Sequence, residues 1–242
     1  MPARIMLRLA RAAEAIEEMD RPDCDPVLLR RTYAQFPLVN RVVAGWRGNY
    51  VQYIRPLLAR RVRARILDVG CGGGDIAANL ARWALADGFE VAVCGIDPDP
   101  RAISYARQAL QRCKLPRGVL EFRETTSTRL AADGEQFDLV LSNHLLHHLG
   151  TDQLRQLQDE TEQLCTGIGL HSDIRRSPVA LGLFGLATLP LAGSSLIRRD
   201  GLTSIRRSFV PGELRPLLRP GWEVRTQRPY RNLLLWEAGG RG

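Results

Sequence analysis

Between Ile66 and Asp75 the chain reads Ile-Leu-Asp-Val-Gly-Cys-Gly-Gly-Gly-Asp, an apolar run that dissolves into glycines just before a helix-like stretch. Glycine lets the chain turn sharply there and lets backbone N–H groups approach a ligand without interference from Cβ, beside the positive end of the following helix. Asp68 stands two residues before the first glycine, and the run lacks the closing Gly or Ala of the dinucleotide G-x-G-x-x-G pattern. A second apolar run ends in Gly95-Ile96-Asp97. Its carboxylate falls at a neighbouring strand end, where it could accept hydrogen bonds from both hydroxyls of a ribose. Asp97 alone indicates a nucleoside ligand and nothing finer, and capping of the helix from Pro100 is the alternative use for it. All four histidines, His144, His147, His148 and His171, gather on the exit of the fourth strand-like run or on the fifth. Clustered imidazoles suggest a metal, but a hard cation needs several carboxylates and only Asp173 lies nearby, so no metal is expected.

Positioning these residues requires strands that end at a common edge. Short apolar runs at 66–69, 90–96, 119–123, 137–142 and 168–174 alternate with helix-length segments at 76–86, 100–112 and 151–165. That alternation implies a parallel sheet covered on both faces. Two further strands, 222–226 and 233–236, flank an Arg-Pro turn and read as an antiparallel edge. The expected class is α/β, a Rossmann-like, seven-stranded, mostly parallel sheet. Before it, helical spacing over 3–19, over 27–43 with an interruption near Pro37, and over 49–61 predicts an α-helical cap of residues 1–53.

A length of 242 residues with 45% hydrophobic content suffices for one core and excludes wholesale disorder. The net charge of +8 invites a nucleic-acid reading. Arginine supplies all of the basic side chains except Lys114 and is scattered from Arg4 to Arg241, whereas a binding face concentrates its charge. Five cysteines without close paired spacing support neither a disulfide framework nor a metal knuckle. No signal peptide is read at the N-terminus, and a cytoplasmic location is expected. Residues 178–197 carry no charge, a length near that of a membrane span. Two prolines, three glycines and strands on both sides oppose a spanning helix. An ordinary buried helix remains, or an apolar lid at about 178–205 that touches a lipophilic ligand or a membrane surface.

Taken together, the glycine turn, Gly95-Ile96-Asp97, Phe137-Asp138-Leu139-Val140-Leu141-Ser142 with Leu146-His147-His148-Leu149, and the closing Gly221-Trp222 resemble the class I S-adenosylmethionine-dependent methyltransferases, over about residues 54–236. Within that family the chain looks most like the branch that methylates quinones, phenolic lipids and polyketides. The resemblance implies S-adenosyl-L-methionine as cofactor. Asp68, Gly70, Cys71, Gly72 and Gly74 would line its methionyl part, Asn143 would stand beside it, and Asp97 with Pro98 would hold the ribose. Many members read adenine with an acidic residue after the third strand; here Thr126 aligns with it. On the acceptor side His144 is the expected base for a phenol of pKa about 10, with His148, His171 and Asp173 binding the acceptor. The implied reaction is methylation of oxygen, or less readily carbon, on a small lipophilic aromatic acceptor. An RNA or protein methyltransferase is the alternative, opposed by the absence of an Asn-Pro-Pro-Tyr-like motif. A non-catalytic cofactor-binding protein is a third reading, opposed by the intact glycines and both acids.

Overall fold

Uninterrupted apolar runs occupy the middle of a sheet because both faces there are covered, so alternation with polar residues is unnecessary. The computed structural model describes residues 9–239. Its strands are β1 (Ala64–Val69), β2 (Val91–Asp97), β3 (Leu120–Glu124), β4 (Phe137–Asn143), β5 (Cys165–Ile174), β6 (Glu223–Gln227) and β7 (Arg231–Glu237). They form one seven-stranded sheet in the order β3-β2-β1-β4-β5-β7-β6. β1 to β5 pair in parallel, and β7 runs antiparallel to both β5 and β6. The chain winds outward from β1 in one direction to β2 and β3, then in the other from β4 onward. This reversal opens a crevice at the carboxyl ends of β1 and β4, where such sheets bind ligands.

Alternate side chains of β1 divide between two cores: Ile66 packs with Ile54 and Leu80 on one face, Leu67 with Leu130 and Leu154 on the other. The helices that cover these faces include α1 (Pro26–Val43), α2 (Trp46–Asn49), α3 (Arg55–Leu58), α4 (Asp75–Ala86), α5 (Pro100–Gln111), α6 (Ser127–Ala132) and α7 (Thr151–Leu164). Asp25 caps α1, accepting from Val27 N at 2.7 Å and Leu28 N at 3.1 Å. The helix then runs through Pro37 without the expected interruption.

A π-helical turn, Tyr50–Ile54, joins α2 to α3. The expected boundary after residue 53 therefore falls inside continuous helical backbone. Trp46, Tyr50, Ile54 and Leu58 form a buried stripe in the same core as Ile66, so these helices complete the sheet's cover.

The helix expected over 3–19 is corrected in part: residues 1–8 lie outside the described range, and 9–17 are not helical. Tertiary bonds to α9 (Ile197–Arg207) hold this segment instead. Ala12 N donates to Arg206 O at 3.0 Å, and Glu18 N and Met19 N donate to the Asp200 carboxylate at 2.8 and 3.1 Å.

The uncharged stretch forms α8 (Pro178–Ala187), capped by Ser177, and a 3-10 turn, Leu189–Leu191. It leads into α9, and α10 (Pro211–Leu214) precedes β6. Among the described residues no helix is long and apolar enough to cross a membrane.

Candidate active site

At the carboxyl edge of β1, β2 and β4 the chain encloses a cavity of about 480 Å³. One half of its wall is the glycine turn. Cys71 N donates to Ile96 O at 2.9 Å, and Gly72 N donates to Asp97 Oδ2 at 2.9 Å, so the turn is tied to the end of β2. Asp97 Oδ1 accepts from Asp99 N at 2.9 Å, while Asp99, not Asp97, caps α5 by accepting from Arg101 N at 2.8 Å. Gly70, Cys71, Gly72, Asp97 and Pro98 all line the cavity.

Gly74 does not. Its φ of 79° and its place against Phe122 explain the residue: a Cβ there would stand 2.3 Å from the Phe122 ring. Phe122 thus fixes a glycine at this position by packing between the turn and β3.

Asp68 is buried on this wall, where neither carboxylate oxygen has a well-formed hydrogen bond among the described residues and only the Ala77 backbone N–H favours its charged form. Burial, reinforced by the nearby charges of Asp75 and Asp97, pushes its carboxyl well above the usual range. Two largely unpartnered acceptor atoms in a concave wall suit a cationic, hydrogen-donating group such as an ammonium.

Thr126 lies elsewhere. It is exposed and caps α6, accepting from Arg129 N at 3.3 Å, and it does not line the cavity. The short helix after β3 was not expected from the sequence, and it claims the hydroxyl that the alignment had set against adenine.

The other half of the wall rises from the ends of β4 and β5 and the start of β7. Asn143, His144 and His148 line the cavity. His144 adopts φ 58° and donates its backbone N–H to Ser172 O at 3.0 Å. The Arg231 guanidinium donates to its Nε2. Burial, and then the Arg231 charge, hold its pKa well below the ordinary value, so the ring is neutral with its proton on Nδ1 and its lone pair engaged. His144 is therefore corrected as the base, because the nitrogen that would take a proton already accepts one hydrogen bond.

His171 is corrected as an acceptor-binding residue. Fully buried and stacked on Trp222 at 5.6 Å, it does not line the cavity. Thr161 Oγ1 donates to Leu157 O at 2.7 Å and so accepts from His171 Nε2 at 3.0 Å, leaving Nδ1 to accept from Ser142 Oγ at 2.8 Å. Burial lowers its pKa to about 3, in keeping with a permanently neutral ring.

Asp173 is likewise absent from the cavity wall and grips His147 instead. It accepts from His147 Nδ1 at 2.8 Å and from His147 N at 2.7 Å. Glu17 lies 3.2 Å from the other ring nitrogen. Burial opposes a charge on His147, but the carboxylates of Asp173 and Glu17 outweigh it and raise the imidazolium to about 9.

Glu17, Trp46 and Arg231 escaped the sequence reading. Glu17 falls in the stretch whose spacing predicts a helix, and nothing local marks it as buried. Arg231 is one of many arginines scattered along the chain. Trp46 Nε1 donates to Asn143 Oδ1 at 2.9 Å, a contact with no counterpart in any motif. Opposite these polar groups the wall is apolar, with Phe36 and Val39 from α1, Leu183 and Phe184 from α8, and Ile197 from α9.

Residues 66–168 match the family described as "Methyltransferase domain". A ubiquinone biosynthesis O-methyltransferase of Cereibacter sphaeroides is 34% identical over 159 residues, 64% of this chain and 58% of that one. One of Roseobacter denitrificans is 41% identical over 87 residues, 36% of this chain and 32% of that one. The chain thus spans at most 58% of the length of these two relatives. Among solved structures, human N-acetylserotonin methyltransferase in complex with SAM aligns with a TM-score of 0.59 at 14% identity, covering 88% of this chain and 56% of that one. A plantazolicin methyltransferase in complex with SAH aligns with a TM-score of 0.54 at 14% identity, covering 88% and 95%. Identities this low speak for the fold alone.

Proposed function

We propose that this chain, whose residues 66–168 match a methyltransferase domain, acts as a class I S-adenosylmethionine-dependent methyltransferase and transfers the methyl group of S-adenosylmethionine to an oxygen of a small lipophilic aromatic acceptor. The observation that carries the reading is the largely unpartnered Asp68 carboxylate, set beside the glycine turn and Asp97 in a cavity whose far wall is apolar. Asp68 would hold the ammonium of the methionyl part, Asp97 the ribose hydroxyls, and the turn from Gly70 to Gly73 the chain between them. The cofactor supplies an electrophilic methyl on a sulfonium. Asp68, Asp75 and Asp97 give their side of the cavity an acidic character that favours a cation.

The apolar wall supports an acceptor with a hydrocarbon portion, consistent with relatives named for ubiquinone biosynthesis. His148, on the polar wall that faces it, with Nδ1 3.2 Å from Asp20, would contact that acceptor. The chain's part in the reaction is chiefly to align acceptor oxygen and methyl carbon and to exclude water.

α8 lines the cavity through Ala180 and Phe184 and exposes Val179 and Leu186 outward. Because the outward side chains continue the apolar wall, they would rest on a bilayer surface from which the acceptor enters. The nucleic-acid alternative draws no support from the arginines, several of which are paired with acids. Arg61 and Arg65 pair with Asp138 and Glu135 at the sheet edge opposite the cavity, and Arg225 pairs with Glu223.

Calorimetry with S-adenosylhomocysteine, followed by methyl transfer from labelled S-adenosylmethionine to alkylated phenols and quinols, tests the reading. Heat of binding and a labelled ether are expected. No binding, or label only in RNA or protein, overturns it.

A further inference from the structure

Arg231 occupies an unusual place for an arginine. It opens β7, is 1% exposed, and still lines the cavity. Its hydrogen-bond partners are all uncharged: Ser172 Oγ at 2.9 Å, Asn143 Oδ1 at 2.8 Å, and His144 Nε2. The carboxylate of Asp173, the acid that acts on it through space, is taken up by His147 and by Ile174 N at 2.6 Å. A guanidinium cannot lose its proton at working pH, so this wall presents a fixed cation among neutral acceptors, with no carboxylate of the described residues bound to its fork. A buried charge without a bonded counter-ion is costly, and a ligand that brings an anionic oxygen removes that cost.

We propose that Arg231, with the neutral His144 beside it, seats an ionised oxygen of the acceptor, so that the substrate is an acidic phenol or enol bearing an apolar substituent and reacts as its oxyanion. This rests on the methyltransferase reading and narrows its substrate class. The cavity then has three zones: the acidic wall around Asp68 for the cationic cofactor, the Arg231 corner for the acceptor's oxyanion, and the faces of α1 and α8 for its hydrocarbon part. The site also needs no general base. The oxyanion's lone pair forms the O–CH3 bond while the S–CH3 electron pair returns to sulfur. A sulfonium and an oxyanion become a thioether and an ether, and no proton leaves in that step. Ionisation happens on binding, when the acceptor's proton passes to water.

The same chemistry has a second source, the carboxylate of the cofactor's methionyl part, and the experiment separates the two. An alkylated 4-nitrophenol, whose phenolate absorbs visible light, is titrated with pH while bound to the full chain in the presence of S-adenosylhomocysteine. The wild type should lower the probe's pKa by about 1–3 units, as an opposite charge at contact distance does. Arg231→Gln should abolish the shift and leave affinity for S-adenosylhomocysteine unchanged. Arg231→Lys should keep part of the shift, because it retains charge without the planar fork. If Arg231→Gln does not fold, the wild-type shift and its partial retention in Arg231→Lys carry the test. The inference is overturned if the wild type binds S-adenosylhomocysteine and the probe without shifting the probe's pKa. It is equally overturned if Arg231→Gln or Arg231→Lys loses cofactor affinity while the probe's shift stays, for then the guanidinium serves the cofactor's carboxylate. Failure of the underlying methyltransferase reading looks different, since the wild type would then bind no S-adenosylhomocysteine.

Discussion

The two halves of the cavity are built by different means. On the side of β1 and β2, the bond that joins the glycine turn to Asp97 spans 25 residues of sequence. On the side of β4, β5 and β7, His147 meets Glu17 across 130 residues, and Arg231 meets His144 across 87. The first half is a local device that its own residues dictate. The second is assembled by the whole fold, from a strap before α1, the exit of β4 and the start of β7. Damage to the first half should therefore cost ligand affinity, and damage to the second should cost stability as well.

The largest effect is expected at Asp173. Removing one partner of a buried ion pair strands the other, so Asp173→Ala should lower unfolding free energy by about 3–5 kcal/mol. Denaturant titration measures it, and a loss below about 1 kcal/mol would show that the His147 cluster is not holding the strap. The same cluster fixes a pH dependence. His147 rises from 6.5 to about 9, so its contribution is complete below pH 6.5 and fades as pH climbs through about 9. Asp173 has a lowered pKa, so its share is present above the ordinary carboxyl value and fades only as pH falls through the lowered one. Stability of the wild type should fall as pH rises from 6.5 through about 9, and His147→Gln should flatten that slope; a parallel slope in both proteins removes the cluster as its cause.

On the local side, Asp97→Ala should weaken S-adenosylhomocysteine binding by about 1.5–3 kcal/mol, the worth of a charge-assisted contact. It should also loosen the Gly72 amide without unfolding the sheet. Calorimetry beside a melting curve distinguishes the halves. If Asp97→Ala lowers the melting temperature as much as Asp173→Ala does, the contrast between a local binding device and a global scaffold fails.

A smaller effect belongs to the outer face of α8. Leu186 is 68% exposed, and seating a leucine in lipid contributes about 1.5–3 kcal/mol. Leu186→Ser should reduce co-sedimentation with phosphatidylglycerol vesicles and leave cofactor binding alone. Wild type that stays in the supernatant sinks the bilayer contact while leaving the inner apolar wall intact.

How much could be read in advance follows the same divide. Strand ends, the glycine turn and Asp97 were legible because their periodicity and spacing are consequences of nearby residues. The role of His144 was not, since it depends on which side chain β7 delivers to its Nε2. Residues 9–17 carry an amphipathic pattern that suggests a helix, yet Glu17 is more strongly placed by His147 and by Ser204 Oγ, 2.7 Å away, than by any local preference. Gly74 was legible as a turn residue, but the packing that requires a glycine there was not, because the Phe122 ring lies on a strand 48 positions later.

The smallest expected effect, at Thr126, sharpens the limit of the local half. Alignment with the family set this residue against adenine, whereas the structure turns its hydroxyl to Arg129 N at the start of α6, on an exposed flank outside the cavity. Losing such a cap typically costs about 1 kcal/mol. Thr126→Ala should therefore lower stability slightly and leave affinity for S-adenosylhomocysteine at the wild-type level, while Thr126→Ser, which keeps the oxygen, should do neither. Calorimetry on the pair decides the matter. A tenfold loss of affinity in Thr126→Ala, about 1.4 kcal/mol, would mean that the hydroxyl leaves its cap to meet adenine when the cofactor binds. The end of β3 would then join β1 and β2 as part of the locally built wall.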